Sequence, residues 1–446
     1  MIALKIIFGI IFILLYIVMM TIMIIFERDK PRNILLWSLV FLFTQVIGYL
    51  VYLFSRYVFY KKKNSLAIKE KEDEIYRNLI KKNLNKVKHE IDDDLLNFSS
   101  LAYNAVGTIN NSYEIFTKYS KFKDSLLKDL SNASSYILFE VSKVNKNDFI
   151  EIKDVLISKA KSGVAVKLVF DNHICFKWKK ELKQAGVRVY RFSKYNTVGR
   201  IFANHRNQVV IDGKMAYLGN LNVNAKMMEE GKEVSCAYIK VKGNIVQEIN
   251  LTTHQDTVFA SGKFQPYTSV KSDSIKNSLF LQYISNNLNT DIELLLIKAI
   301  CTAKSNITLH LDQFIPTESI MSLLKYAINS NIDVRLMVPL KTKQFGKYYA
   351  TRAYAKELAL MGANVYLYDG YIFSNSIVID DSYVLYGSFL LNREHINTGL
   401  QSVLIFNDAK AITYFKKQFD IGINNSYRIN DAKYMLIREK FYKNFV

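Results

Sequence analysis

The segment NHRNQVVIDGKMAYLGNLN, Asn204 to Asn222, sets a histidine ahead of a hydrophobic run, an Ile-Asp-Gly turn and a Gly-x-x-Asn. Histidine is the side chain best suited to attack an electrophile or to move a proton near neutral pH. A cation two residues later would hold an oxyanion beside it, because positions i and i+2 of a strand point to the same face. That place holds the neutral Asn207, and Arg206 between the two faces away. Asp212 lies further along the segment, Gly219 and Asn222 supply its Gly-x-x-Asn, and Glu233 follows it.

A second segment, FSNSIVIDDSYVLYGSFLLN, carries the same layout with Phe373 at the histidine place, Asn375 two residues on, and Asp380 at the aspartate place. Gly163 and Asn331, Asp212 and Asp380, Gly219 and Gly387 all stand 168 residues apart. Three equal offsets across unlike segments indicate an internal duplication.

The elements around the two segments agree with that. SYILFEVSKV reads as a strand, FIEIKDVLISKAKSG as a helix, VAVKLVFD as a strand, KKELKQAG as a short helix and VRVYRF as a strand. The order returns in TAKSNITLHLDQFIP, IMSLLKYAINSNIDVRLMVP and ELALMGANVYLYDG. Alternating strands and helices with short links predict an α/β fold, a parallel or mixed sheet covered by helices, present twice. The expected divisions are 1–60, a transmembrane hairpin; 61–130, a mostly helical linker; 131–260, a first repeat; and 261–446, a second repeat with C-terminal helices.

Residues 2–26 contain one charge, Lys5, and a second apolar run extends from about Asn33 to Tyr60 with Arg56 near its end. At 1.5 Å per residue each run can cross a hydrocarbon core of roughly 30 Å, so a two-span hairpin is expected. No small-residue cleavage site follows the first run, which disfavours a signal peptide. Lys61 to Lys63, Lys69 and Lys71 place the rest of the chain in the cytoplasm by the positive-inside rule, against a pull from Arg28, Lys30 and Arg32 in the loop. The three cysteines, Cys175, Cys236 and Cys301, have no metal-ligand or CxxC spacing and suit a reducing compartment; no metal and no cofactor is expected. A net charge of +20 admits an anionic membrane surface or nucleic acid as partner, and the apolar runs favour the membrane. The C-terminal DAKYMLIREKFYKNFV reads as an amphipathic helix, either packed on the second repeat or lying on a membrane.

With the spans, the duplication and the paired segments in place, the chain resembles the bacterial cardiolipin synthases of the phospholipase D superfamily. NHRNQVVIDGKMAYLGNLN and FSNSIVIDDSYVLYGSFLL fall where that family has its two H-x-K-x-x-x-x-D motifs, and IIFERDKPRNILLWSLVFLFTQVIGYLVYLFSR resembles its two-span N terminus. The resemblance implies duplicated phospholipase D-like α/β/α sandwich domains, with the two motifs meeting across a pseudo-twofold axis. It also implies a reaction without metal. One histidine attacks phosphorus to form a phosphohistidine, the other protonates the departing alcohol, and two lysines hold the phosphate oxygens. Two phosphatidylglycerols would thereby be joined with release of glycerol.

The chain departs from that pattern at most of those places. A pocket expected to hold two histidines and two lysines would hold His205, Asn207, Phe373 and Asn375. Loss of one oxyanion partner typically costs about 3 kcal/mol, and acid-base assistance alone contributes about 10² to 10⁴-fold. The family's Asn after the second Gly-Thr/Ser is here Leu390, and its Thr-Pro-Tyr before the FIP stretch is Leu311, Asp312 and Gln313. Among the positions carried over, His205, Asp212, Asn222 and Glu233 are the kept or near-kept first motif, and Asp380 is the remnant of the second. His205 then reads either as a packed residue bonded to a neighbour or as a group with a chemical or ligand-binding role. Asp212 and Asp380 also suit simple turn formation. His89, His173, His254, His310 and His395 fit no ligand pattern.

Three functions follow. The first is a membrane-anchored relative without ordinary phosphatidyl transfer, binding anionic phospholipid (phosphatidylglycerol or cardiolipin) or pairing with an active synthase at the bacterial cell membrane. The second is an active synthase or related phosphatidyltransferase with an unusual pocket. A nuclease or nucleic-acid binder is the third, disfavoured by the apolar runs.

Overall fold

The computed structural model describes residues 2–27, 33–57, 93–142, 146–171, 176–192, 203–219, 234–235, 237–263, 267, 275–286, 291–341, 345–393, 396, 399–429 and 437–445. The chain divides into two compact units, Met1–Lys71 and Glu72–Val446.

In the first unit, helices Ile2–Glu27 and Asn33–Tyr57 pack through Met23, Phe41 and Tyr52. Glu27 caps this contact: it accepts from Asn33 at 3.0 Å and pairs with Arg56 at 3.3 Å. Among the described residues one helix, Asn33–Tyr57, is long and apolar enough to cross a membrane, while the apolar helix Ile13–Glu27 is shorter. The lysines used to orient the chain, at 61–63, 69 and 71, and the basic loop residues 28, 30 and 32 lie outside the described residues.

The second unit contains the duplication. Its seven-stranded sheet runs Asn111–Phe116, Tyr238–Gly243, Met215–Leu218, Gln208–Ile211, Tyr136–Val141, Ala165–Phe170, Arg188–Arg191. The nine-stranded sheet repeats six of these positions in the same order and sense: Ser402–Phe406, Tyr383–Gly387, Asn375–Ile379, Asn306–His310, Asp333–Pro339, Asn364–Tyr368. In each copy three strands run parallel, and the motif strand pairs antiparallel with the first of them.

Strand alternation distributes each sheet's side chains between two helical layers. Leu336 and Val338 meet helices Glu293–Thr302, Glu318–Asn329 and Phe345–Leu360 on one face, and Met337 meets Phe419 of Ala409–Asn424 on the other. Leu168 and Phe170 likewise face helices Tyr119–Ser131 and Lys146–Lys161, while Val169 faces Ala260 of Ile245–Ser261. A further apolar cluster mixes both sheets, with Val210, Leu218 and Val241 from the first and Tyr283, Val384 and Leu404 from the second.

The stretch expected to be mostly helical holds strand as well. Asn111–Phe116 adds an edge to the first sheet, and Gly107–Thr108 pairs with Leu281–Ser285 of the second. NSYEIF alternates with period two, which selects a strand once a sheet edge is available. The C-terminal helix Ile437–Phe445 packs on Phe345–Leu360, where the fully buried Glu439 pairs with Lys356 at 2.7 Å and Arg352 at 3.4 Å.

Asp212 and Asp380 do the same work in the two copies. Each adopts a positive φ, 53° and 49°. The Asp212 carboxylate accepts from the backbone N–H of Ser134 (2.8 Å), Ser135 (2.7 Å) and Tyr136 (2.9 Å), and Asp380 accepts from those of Lys304, Ser305 (2.7 Å) and Asn306 (2.9 Å). Partial burial works against the charge, but these donors outweigh it and hold both carboxyls below the usual carboxylate range. The clamp therefore contributes fully above that range and is lost as pH falls through the depressed folded-state values. Asp380→Ala should lower stability by on the order of 2 kcal/mol at pH 7. Thermal unfolding of the full chain in detergent at pH 7 and pH 3 measures this, and the difference between wild type and variant should shrink at the lower pH.

Candidate functional site

The motif strands reach the centre of the second unit by crossing between repeats. Just before His205, Ala203–Asn204 leaves its own sheet and pairs in parallel with Gly399–Leu400, and the His205 N–H donates to Leu400 O at 2.9 Å. Just before Phe373, Tyr371–Ile372 pairs in parallel with Val234–Ser235, and the Phe373 N–H donates to Ser235 O at 3.0 Å. Each repeat so presents its motif residue against the other's backbone.

A cavity of about 250 Å³ opens between them, lined by His205, Asn207, Phe373 and Asn375 together with Asp312, Lys347, Tyr283 and Tyr386. Gly387 belongs to the wall, and there a Cβ would come within 2.0 Å of Ser402 O, so the close approach of the two strands requires glycine. Asp212 and Asp380 are not among the lining residues. Asn222 and Glu233 lie outside the described residues, as do Cys175, Cys236, His89, His173 and His395.

The two asparagines are tied down alike. Asn207 Oδ1 accepts from the Ser142 N–H at 3.0 Å and its Nδ2 donates to His205 O at 3.0 Å. Asn375 Oδ1 accepts from the Asp312 N–H at 2.8 Å and its Nδ2 donates to Phe389 O at 2.6 Å. Both carboxamides brace backbone where a lysine would extend a cation. Phe373 packs against the first repeat's core and stands 6.0 Å from the Tyr371 ring.

Arg206 faces away from the cavity, as alternation requires, into a buried polar cluster. It is 3 % exposed, pairs with Asp256 at 2.5 Å, and donates to the backbone oxygens of Gln401 (3.2 Å) and Asn286. Glu140 lies in the same cluster, accepting from Gln208 at 2.7 Å and from Asn204. Burial, and after it the charge of Asp256, pushes the Glu140 carboxyl well above its ordinary value.

Two charged lining residues were not chosen as site residues from the sequence. Lys347 stands in the first turn of helix Phe345–Leu360, a position with no strand period to flag it. Asp312, noted only as a departure from the family's pattern, follows strand Asn306–His310. As a residue Asp312 is half-buried, but its Oδ1 is sealed from solvent and accepts no hydrogen bond. Burial pushes its pKa up to about 6, against the opposing effects of Asn375, Lys347 and the Gln313 N–H. Among the described residues no group of three or more His, Cys, Asp or Glu is placed to hold a metal ion.

Two α/β repeats joined so that one strand from each meets at a shared cavity define a phospholipase D-like protein. The family model for the cardiolipin synthase, phospholipase D-like domain matches residues 126–256 and 296–421, and the chain belongs to that family. It is 26 % identical over 444 residues to a cardiolipin synthase of Oceanobacillus iheyensis, covering 92 % of this chain and 90 % of that protein. It is 28 % identical over 466 residues to the major cardiolipin synthase of Bacillus subtilis, covering 93 % of each. Among solved structures, the phosphatidylserine synthase of Haemophilus influenzae Rd KW20 aligns with a TM-score of 0.56 at 12 % identity, over 75 % of this chain and 92 % of that one, and shares the fold.

Two measurements test this geometry. Removing the guanidinium in Arg206→Ala leaves Asp256 buried without its cation, and should cost about 3–5 kcal/mol, read as a lowered midpoint in denaturant. Asp312 carries a raised folded-state value, so its contribution is full below the unfolded carboxylate range and is lost as pH rises through about 6. Asp312→Asn should then be more stable than wild type at pH 8, by on the order of 2 kcal/mol, with the gain vanishing by pH 4 in the same unfolding assay.

Proposed function

We propose that this protein is a membrane-anchored member of the cardiolipin synthase family that has lost ordinary phosphatidyl transfer and binds anionic phospholipid in its inter-repeat pocket. The single observation that carries this reading is the state of Asn207 and Asn375. Both neutral carboxamides are engaged with backbone at the two lysine places, and Phe373 occupies the second histidine place. A covalent phosphohistidine on His205 would have no histidine across the pocket to protonate the departing alcohol, and no lysine from either motif to hold the phosphate oxygens.

The membrane side of the proposal rests on the apolar helices Ile2–Glu27 and Asn33–Tyr57, taken as a two-span anchor, and on the net charge of +20. Each lysine or arginine near an anionic leaflet contributes about 1 kcal/mol. In this reading the second unit lies on the cytoplasmic side. Pairing with an active synthase, which would use the same bound lipid, is compatible with it.

The active-enzyme reading gains one observation, the presence of Lys347 in the pocket. A single assay separates the two. Full-length protein is reconstituted into phosphatidylglycerol vesicles, and both lipid products and free glycerol are followed. The expected result is salt-sensitive retention of phosphatidylglycerol with no cardiolipin or glycerol formed. Glycerol release that His205→Ala abolishes would establish the enzyme and overturn the proposal.

A further inference from the structure

His205, Asp312 and Lys347 are the charged or titratable acid-base residues lining the cavity among the described residues, apart from the hydroxyls of Tyr283 and Tyr386. Those two hydroxyls are committed, Tyr283 donating to Gln208 Oε1 at 2.6 Å and Tyr386 to Ala237 O at 2.6 Å. The motif strands themselves bring no cation, since their lysine places are Asn207 and Asn375. The cation comes from a different element, the start of helix Phe345–Leu360, and it shares the wall with a carboxyl.

That carboxyl is arranged unusually. Asn375, the replacement at the second lysine place, fixes the Asp312 backbone through the 2.8 Å bond from its N–H, and so sets where the side chain stands. One oxygen, Oδ1, is sealed from solvent with no donor. An ionised carboxylate with an unsatisfied buried oxygen is costly, whereas a protonated one can donate a hydrogen bond to a ligand oxygen. His310, two residues earlier, takes no part, because it is buried with its ring 6.1 Å from Phe419.

We infer that Lys347 and Asp312 form a proton-dependent phosphate clamp: Lys347 attracts the anion, and Asp312 admits it only in its protonated form, when it donates to a phosphate oxygen. The ligand chemistry is a phosphate-ester anion, and the inference rests on the phospholipid-binding reading for its source. With Asp312 ionised, its charge offsets that of Lys347 and repels the phosphate. With Asp312 neutral, the clamp carries net positive charge and gains a donor. The burial-raised pKa of Asp312, about 6, places this change between pH 7.5 and 5.5. Apparent affinity scales with the competent fraction, which gives a gain of about 25-fold across that interval.

His205 lines the same cavity from the other repeat, so the test must separate its contribution from that of Asp312. Binding of short-chain phosphatidylglycerol to the full chain in detergent is titrated at pH 7.5 and 5.5, with inorganic phosphate as a second probe and thermal unfolding as a check on folding. Wild type should bind about 25-fold tighter at the lower pH. Asp312→Asn should bind equally at both, Lys347→Gln weakly at both, and His205→Gln more weakly than wild type with the slope retained. A slope that survives in Asp312→Asn or disappears in His205→Gln overturns the clamp. Phosphatidylglycerol binding that is flat with pH in wild type overturns it while the phospholipid reading stands. Inorganic phosphate bound with a slope larger in wild type than in Asp312→Asn, which removes the probe's own titration, and without phosphatidylglycerol binding, upholds the clamp and overturns the phospholipid reading. Binding of neither probe at either pH overturns both.

Discussion

The pocket depends on one buried cation that does not line it. Arg206 follows His205 in the link between strands Ala203–Asn204 and Gln208–Ile211, and its guanidinium reaches Asp256 of its own repeat and the backbone oxygens of Asn286 and Gln401 from the other. A guanidinium with little exposure is stable only if its donors are met and its charge is balanced, so both repeats must be in place for the site to form. Asn286 extends the tie, donating to Gly399 O at 2.8 Å and accepting from the Gln401 N–H at 2.6 Å, next to the strand that pairs with Ala203–Asn204. Glu140 shares this enclosure with Asp256, and one guanidinium cannot balance two carboxylates without cost. Retention of the Glu140 proton removes the excess charge.

Around that tie the two halves have diverged in different ways. At the lysine places they changed alike, for Asn207 and Asn375 each bond one backbone N–H and one backbone oxygen, joining the start of the motif strand to the end of its neighbour. The two places that the family resemblance assigns to lysines thus hold a symmetric pair of braces. At the histidine place they changed unequally. His205 is polar and half-buried, whereas Phe373 joins the apolar packing of the opposite repeat. The pocket has kept its shape by backbone pairing that is indifferent to the side chain at that position.

The legible part of this design is the part imposed by backbone geometry. Asp212 and Asp380 were visible because an aspartate at positive φ, with its carboxylate turned onto the next loop, leaves a fixed mark in both copies; Asn331, matched to Gly163, sits at positive φ for the same kind of reason. The period of two placed His205 with Asn207 and turned Arg206 away. Asp212 and Asp380, read from the sequence both as motif residues and as turn formers, hold loops through their carboxylates. Lys347 and Asp312 stayed hidden for a physical reason. Their proximity to His205 is created by the packing of two repeats, and no local pattern in KTKQFGKYYA or HLDQFIP records a contact made across that interface. The strand Asn111–Phe116 was missed on similar grounds, since its pairing partner Tyr238–Gly243 lies more than a hundred residues away.

The charges lining the cavity also bear on which stage of a phosphoryl transfer they could assist. An enzyme gains rate only from contacts that strengthen as the transition state forms, and phosphoryl transfer needs charge stabilised on both sides of the phosphorus. The lysines of a twofold site would supply that symmetrically. Here, among the described residues, one cation and one titratable acid enter from a single repeat, while the other contributes His205. In the proposed reading such a set holds an anionic headgroup in its ground state and adds little for charge developing on the far side. The cross-repeat ties that shape the cavity are made by backbone and by Arg206, so its shape does not depend on which side chains stand at the histidine and lysine places.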